Sequence, residues 1–171
     1  DSQYSIRNLR KTMKYNGEKC KLLREVELII IDEISMVRAD IIDFIDKVLR
    51  VYNRNMREPF GGKQMLFVGD IYQLEPVVRD EDRQLLHPFY SSAFFFDAKV
   101  FQQMQLVSIE LTKVYRQNDP TFIALLDHIR TSAVTATDLY TLNHQVGAQV
   151  DTAANGLAIT LSTRRDTVDY I

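Results

Sequence analysis

The sequence predicts an α/β protein with a parallel sheet carrying helices on both faces, divided between two incomplete lobes. Three observations carry this reading. Leu28-Ile29-Ile30-Ile31 is an unbroken aliphatic run that ends in the acidic pair Asp32-Glu33. Met65-Leu66-Phe67-Val68-Gly69-Asp70 repeats the arrangement: apolar residues, then a small residue, then a carboxylate. Short apolar runs without alternation read as buried parallel strands, and the carboxyl ends of such strands form the crevice where α/β proteins bind ligands. Between the runs, Ile41, Ile42, Ile45, Val48, Leu49 and Tyr52 fall at helical spacing. The three together make a strand, helix, strand unit of the kind that joins parallel strands.

Taken in order, residues 1 to 25 are polar and rich in Lys and Arg, with Asn16-Gly17 as a turn, and read as a solvated connector. The polar start at Asp1 has the look of a cut end. After the acidic pair, Asp40 is the expected cap of the helix over about 41 to 52. Glu58-Pro59-Phe60-Gly61-Gly62 supplies a loop into the strand at 65 to 69. A polar, charged excursion follows from 71 to 92. The triplet Phe94-Phe95-Phe96 is expected to be strand-like packing over a sheet edge, ahead of a short helix near 98 to 104. At 106 to 111, Val107, Ile109 and Leu111 alternate with Ser108 and Glu110, which predicts a strand. Asp119-Pro120 opens a helix with Phe122, Leu125, Leu126 and Ile129 on one face, proline suiting its first turn. A weaker helix spans 135 to 143. After a loop at 147 to 156, Leu157-Ala158-Ile159-Thr160-Leu161 reads as a strand that feeds Thr163 and Arg164.

Composition sets outer limits. A chain of 171 residues with 46% apolar content has ample material for a core. No apolar run approaches the roughly 20 residues that span a bilayer, and the start lacks the pattern of a signal peptide. A formal charge of -2 argues against a generally basic nucleic-acid coat but leaves room for a local basic groove. Cys20 is the one cysteine, so no internal disulfide exists, and no zinc spacing is present. An intracellular, reducing location is the simplest expectation.

The motifs point to phosphate chemistry. A carboxylate at a strand tip, as in a Walker B element, coordinates magnesium while its neighbour accepts a proton from an attacking water. Asp32 and Glu33 fit that layout; a solvated turn would not explain its recurrence at Asp70. In Gly69-Asp70-Ile71-Tyr72-Gln73-Leu74-Glu75-Pro76-Val77, Gln73 lies just past the strand, where an amide can bond both a terminal phosphate and a water. Taken alone, Gln73 is an ordinary surface polar residue. In Leu111-Thr112-Lys113-Val114-Tyr115-Arg116-Gln117, Arg116 offers a guanidinium that can spread charge over phosphate oxygens; its plainer role is a structural ion pair.

These three elements in this order resemble the PIF-type DNA helicases, in the RecD-like branch of superfamily-one helicases. The matching residues are Ile31-Asp32-Glu33-Ile34-Ser35-Met36, Gly69-Asp70 with Gln73-Leu74 and Pro76-Val77, and Tyr115-Arg116-Gln117, while Leu161-Ser162-Thr163-Arg164 with Val168 and Ile171 looks like the family's next strand and helix. Glu75 departs from the family, which commonly has proline there. The resemblance covers about 26 to 171 and implies a RecA-like (P-loop NTPase) fold, with residues 26–100 as the back half of a first lobe and 101–171 as the start of a second. It further implies ATP and Mg2+ as cofactors. Asp32 would bind the metal with Glu33, Glu33 would activate water, Gln73 would sense the γ-phosphate, and Arg116 would be the arginine finger. The implied activity is ATP-driven 5'-to-3' movement on single-stranded DNA and unwinding of fork-like duplexes, as in DNA repair and recombination.

The family's G-x-x-x-x-G-K-[ST] loop has no counterpart in these residues. Gly61-Gly62-Lys63 is followed by Gln64 and leads into a strand, whereas a phosphate cradle runs from strand to helix. The chain therefore reads as an internal piece of a larger helicase that does not itself hydrolyse ATP. Thr163 and Arg164 are the expected DNA-backbone contacts. Lys63 joins them beside Arg79 and Arg83, with Phe60, His87, Phe89, Tyr90, Phe94 and Phe96 as stacking candidates. Two rival readings stand: a metal-dependent nuclease in which Asp32, Glu33 and Asp70 gather two magnesium ions, and an inactive interaction module with a relic nucleotide site.

Overall fold

A computed structural model describes residues 17–148 and 161–168, apart from the side chains of Arg165 and Val168. The chain divides into two compact units, the first ending at Lys113 and the second beginning at Val114.

The first unit opens with α1 (Gly17–Glu25), followed by β1 (Leu28–Ile31), a 3-10 turn over Ile34–Met36, and α2 (Ala39–Asn53). Next come a tight double turn at Pro59–Gly62 and β2 (Gln64–Phe67). β1 and β2 pair in parallel, Leu28 opposite Gln64 and Ile31 opposite Phe67. The strand, helix, strand unit expected from the sequence is present. Among the described residues, its sheet is covered on one face only. Ile29, Ile31, Met65 and Phe67 pack toward the core, whereas Ile30 is 58% exposed and Leu28 and Leu66 are also open to solvent. The expectation of strands buried on both faces is therefore met on one.

The core forms where α2 lies on the inner face of the sheet. Ile34, Ala39, Ile42, Leu49, Phe60, Ala98 and Val100 are buried together. Phe67 and Phe101 meet edge to face with ring centroids 5.5 Å apart, and Phe60 flanks both. Gly61 is needed in its turn: its φ is +64°, and a Cβ there would come within 2.7 Å of the Leu49 carbonyl oxygen.

Several sequence expectations change. Residues 17–25 form a helix, because Leu23 docks on the core, Arg24 donates to the Tyr52 carbonyl and Lys63 donates to the Arg24 carbonyl at 2.6 Å. Arg38 occupies the N-cap position of α2 without a side-chain capping bond, and Asp40 lies inside the first turn. The excursion after β2 contains a helix, α3 (Asp80–Leu86), whose first turn carries Asp80, Glu81 and Asp82, acids that favour the positive end of the helix dipole. Phe95–Asp97 and Lys99–Gln103 are 3-10 turns, so the aromatic triplet is not strand-like. Phe95 packs on the core while Phe96 stays exposed. Residues 106–111 form no strand; Val107, Ile109 and Leu111 are all strongly exposed. Alternation is only the pattern of a strand, which still requires a neighbour to bond.

The second unit holds α4 (Pro120–Arg130), α5 (Ala136–Asn143) and a short α6 (Arg165–Val168). The expected cap Asp119 accepts from Thr121 N at 2.8 Å and Phe122 N at 3.3 Å. Thr135 and Asp138 form a reciprocal capping box at the start of α5. The expected connector over 1–16 and strand over 157–160 lie outside the described residues. Among the described residues, no helix is long and apolar enough to cross a membrane.

Candidate functional site

The site is built at the carboxyl tips of β1 and β2, which share one edge because the strands run parallel. β1 ends in a forced turn. Glu33 adopts a left-handed backbone, φ 51° and ψ 45°, before the 3-10 turn. For a residue with a side chain this costs about 1–2 kcal/mol. The turn is held by the Glu33 amide donating to Asp32 Oδ1 at 2.9 Å, and both side chains are exposed at the tip. The ladder runs one step further, with Val68 N donating to the Ile31 carbonyl at 2.9 Å and Ile34 N to the Val68 carbonyl at 3.0 Å.

Gly69 explains how close the tips come. A Cβ at that position would lie 2.9 Å from Ile34 N and 3.1 Å from Ile34 Cγ2. The second tip can therefore sit directly against the turn that presents Glu33. Asp70 then turns the chain: its Oδ1 accepts the Tyr72 amide at 3.0 Å, and its Oδ2 accepts the Gln73 side-chain amide at 3.3 Å. Gln73 itself is exposed. The structure thus brings Asp32, Glu33, Asp70 and Gln73 to one edge.

Arg116 belongs to the second unit, exposed in an irregular segment ahead of α4. Thr163 and Arg164 are exposed too; Arg164 donates to Asp166 at 2.9 Å. Lys63 spends its ammonium on α1, as described above. Phe60, named as a stacking candidate, is fully buried and is a core residue. Among the described residues, no group of three or more His, Cys, Asp or Glu side chains is placed to hold a metal. Asp32, Glu33 and Asp70 share the edge without converging into the three-carboxylate group that the nuclease reading requires.

Sequence reasoning missed Arg38. Its Nε and Nη2 donate to the two oxygens of Asp40 at 2.9 and 2.7 Å, and its Nη1 donates to Asp82 Oδ2 at 2.7 Å. Hydrogen bonding to Asp40, opposed by burial and reinforced by Asp82, holds the guanidinium charged beyond its already high range. The backbone there is pinned as well: Arg38 bridges Phe94, and Ala39 N donates to the Ala93 carbonyl at 2.9 Å. The available signal was Asp82 among three acids, but it lies 44 positions away. A buried Ser35 hydroxyl was also missed, and it has no hydrogen-bond partner among the described residues.

Parallel strands with acidic tips, joined through a helix and closed by a glycine, are the working edge of a RecA-like α/β lobe. Solved structures agree: a Bacteroides Pif1 helicase in complex with ADP-AlF3 and ssDNA superposes with a TM-score of 0.86 at 40% identity, covering 92% of this chain and 36% of that one. The Candida albicans Pif1 helicase gives 0.80 at 28% identity, covering 97% and 35%. The model of the PIF1-like helicase family matches residues 4–138, and the chain belongs to that family. Among curated relatives, the Rattus norvegicus ATP-dependent DNA helicase PIF1 is 41% identical over 123 residues, 70% of this chain and 18% of the relative. The Danio rerio PIF1 is 35% identical over 148 residues, 82% and 20%. The chain spans about a fifth of the curated relatives it matches.

Proposed function

We propose that this chain supplies part of the motor of an ATP-dependent DNA helicase, coupling hydrolysis to 5'-to-3' movement along single-stranded DNA and to opening of fork-like duplexes. The observation that carries the reading is the left-handed turn at Glu33, because a strained backbone at an acidic strand tip is retained against its own cost. The donor set fits a nucleotide-bound magnesium ion: Asp32 and Glu33 offer hard carboxylate oxygens in the open, leaving other coordination positions to water and phosphate. When bound, the ion neutralises charge that develops on the phosphate oxygens.

In this reading Asp32 orients the ion, and Glu33 accepts the proton of the attacking water. Gln73, steadied by Asp70, bonds the γ-phosphate and that water. Arg116 comes from the second lobe as the arginine finger. We assign residues 26–100 to the first lobe, 101–171 to the second, and strand contact to Thr163, Arg164 and Lys63. Relatives bearing these names support DNA as substrate: one neighbouring structure is described as Pif1 bound to ssDNA, another as two Pif1 helicases at forked dsDNA. Work inside the cell in DNA repair or recombination follows from that substrate.

With no G-x-x-x-x-G-K-[ST] sequence in these 171 residues, the isolated chain should not hydrolyse ATP. Supplying a segment with that loop should bring activity back; continued inactivity would favour the interaction module. The decisive variant is Glu33→Gln in the whole protein, which should lower DNA-stimulated hydrolysis by roughly 100-fold or more. Parental turnover in that variant would reject the assignment. Nicking of DNA with magnesium and no nucleotide would favour the nuclease.

A further inference from the structure

We propose that Arg38 is a positioning residue that, through Asp82, clasps the loop carrying Gln73 onto the turn carrying Glu33. This deepens the proposed function and rests on its reading of Gln73.

The loop leaves the sheet at Gly69, packed directly against Ile34. It returns at α3, where Asp82 bonds Arg38 at 2.7 Å. Both feet of the loop therefore stand on the segment from Glu33 to Arg38. Between them, Ile71, Tyr72, Gln73, Leu74 and Val77 are exposed, and Pro76 is the residue that is buried. A loop with so little packing of its own takes its position from its feet.

An exposed ion pair is usually a weak tie, because two flexible side chains must be ordered to form it. Here one of them is ordered already. Both Asp40 oxygens grip one edge of the Arg38 guanidinium, through Nε and Nη2, leaving Nη1 aimed at Asp82, so closing the clasp orders the aspartate alone. Arg38 is also tied by backbone to Phe94, which fixes the far side of the excursion to the same point. Arginine is required: a lysine cannot hold one carboxylate through two parallel bonds and also reach a second one.

The test uses the whole protein that contains this chain, with Asp82→Asn, Asp82→Glu and Arg38→Lys variants. Asp82→Asn weakens the cross-link while leaving the Arg38–Asp40 pair intact. DNA-stimulated kcat should fall about tenfold in Asp82→Asn and Arg38→Lys, with KM for ATP changed less than twofold. Amide exchange over residues 71–77 should accelerate by a similar factor, and Asp82→Glu should recover most of both losses. Parental kcat and exchange in Asp82→Asn would overturn the clasp. So would global unfolding of Asp82→Asn that Asp82→Glu repairs no better, since the pair would then be structural only. Glu33→Gln in the same protein tests the catalytic reading separately, and if that reading fails, exchange over 71–77 still decides the clasp.

Discussion

At Glu33 the proposed catalytic role and stability conflict. Its left-handed backbone suits glycine, and every other residue pays steric strain there. Glu33→Gly should keep or raise the unfolding free energy, by up to about 1 kcal/mol, while removing hydrolysis from the whole protein. Chemical denaturation beside an ATPase assay checks both halves; a clear loss of stability would mean the turn is not strained. The sequence names Asp32, Glu33, Gln73 and Arg116 as candidates because each sits in a short motif directly after an apolar run or at a fixed offset from one, and the structure brings the first three to one edge with Asp70. The Arg38–Asp82 pair could not be read in the sequence, because no local pattern joins positions 38 and 82.

At the scale of elements, α2 is locked to the turns that follow it by two buried acids. Asp43 accepts the amides of Lys99 and Val100 at 3.0 and 2.9 Å and the Tyr90 hydroxyl at 2.9 Å. Asp46 pairs with Arg50 at 2.8 Å and accepts the Phe60 amide at 2.6 Å, while Arg50 reaches on to Gln103. Asp43→Ala would strand three donors and should cost about 3 kcal/mol in urea denaturation. Both acids fall on a helix pattern that reads simply as polar face, which is why their burial was invisible in the sequence. The same limit produced the false strand at 106–111 and hid α1, whose place depends on Leu23, Arg24 and Lys63 meeting distant partners.

In the second unit, Asp138 joins α4 to α5. The Thr135 hydroxyl and amide hold its carboxyl below the ordinary carboxylate range against the opposing effect of burial, with a lesser contribution from His128. A depressed folded value means that the contribution is fully present above the unfolded value, about pH 4, and is lost as pH falls through the folded one. The α4–α5 pair should therefore loosen on acidification below about pH 4, read by amide exchange at Leu139 and His144. Asp138→Asn should remove that dependence. A profile unchanged by the substitution would show that other groups govern it.

For the molecule as a whole, the open face of the sheet matters most. Parallel sheets are ordinarily covered on both sides, and two strands alone are marginal. In the isolated chain Ile30→Ser should leave stability within about 0.5 kcal/mol. By contrast, Ile31→Ser on the covered face should cost about 2 kcal/mol. Sedimentation should show less self-association for the Ile30 variant, and equal loss of stability in both would contradict the one-sided sheet. The fold class was legible because two unbroken apolar runs point to a parallel pair, whereas the extent of its cover depends on residues that pack rather than on the runs themselves.

The pairing of β1 with β2 also bears on the order in which the protein folds. In an extended chain, joining Arg38 to Asp82 means closing a loop 44 residues long. Once Ile34 has met Val68, the same contact closes a ring made of just the short stretches 34–38 and 68–82. Chain entropy then opposes it by roughly 1 kcal/mol less. Strand pairing ahead of the Arg38–Asp82 contact would therefore be the entropically cheaper order, with the loop taking its final shape on a sheet already formed.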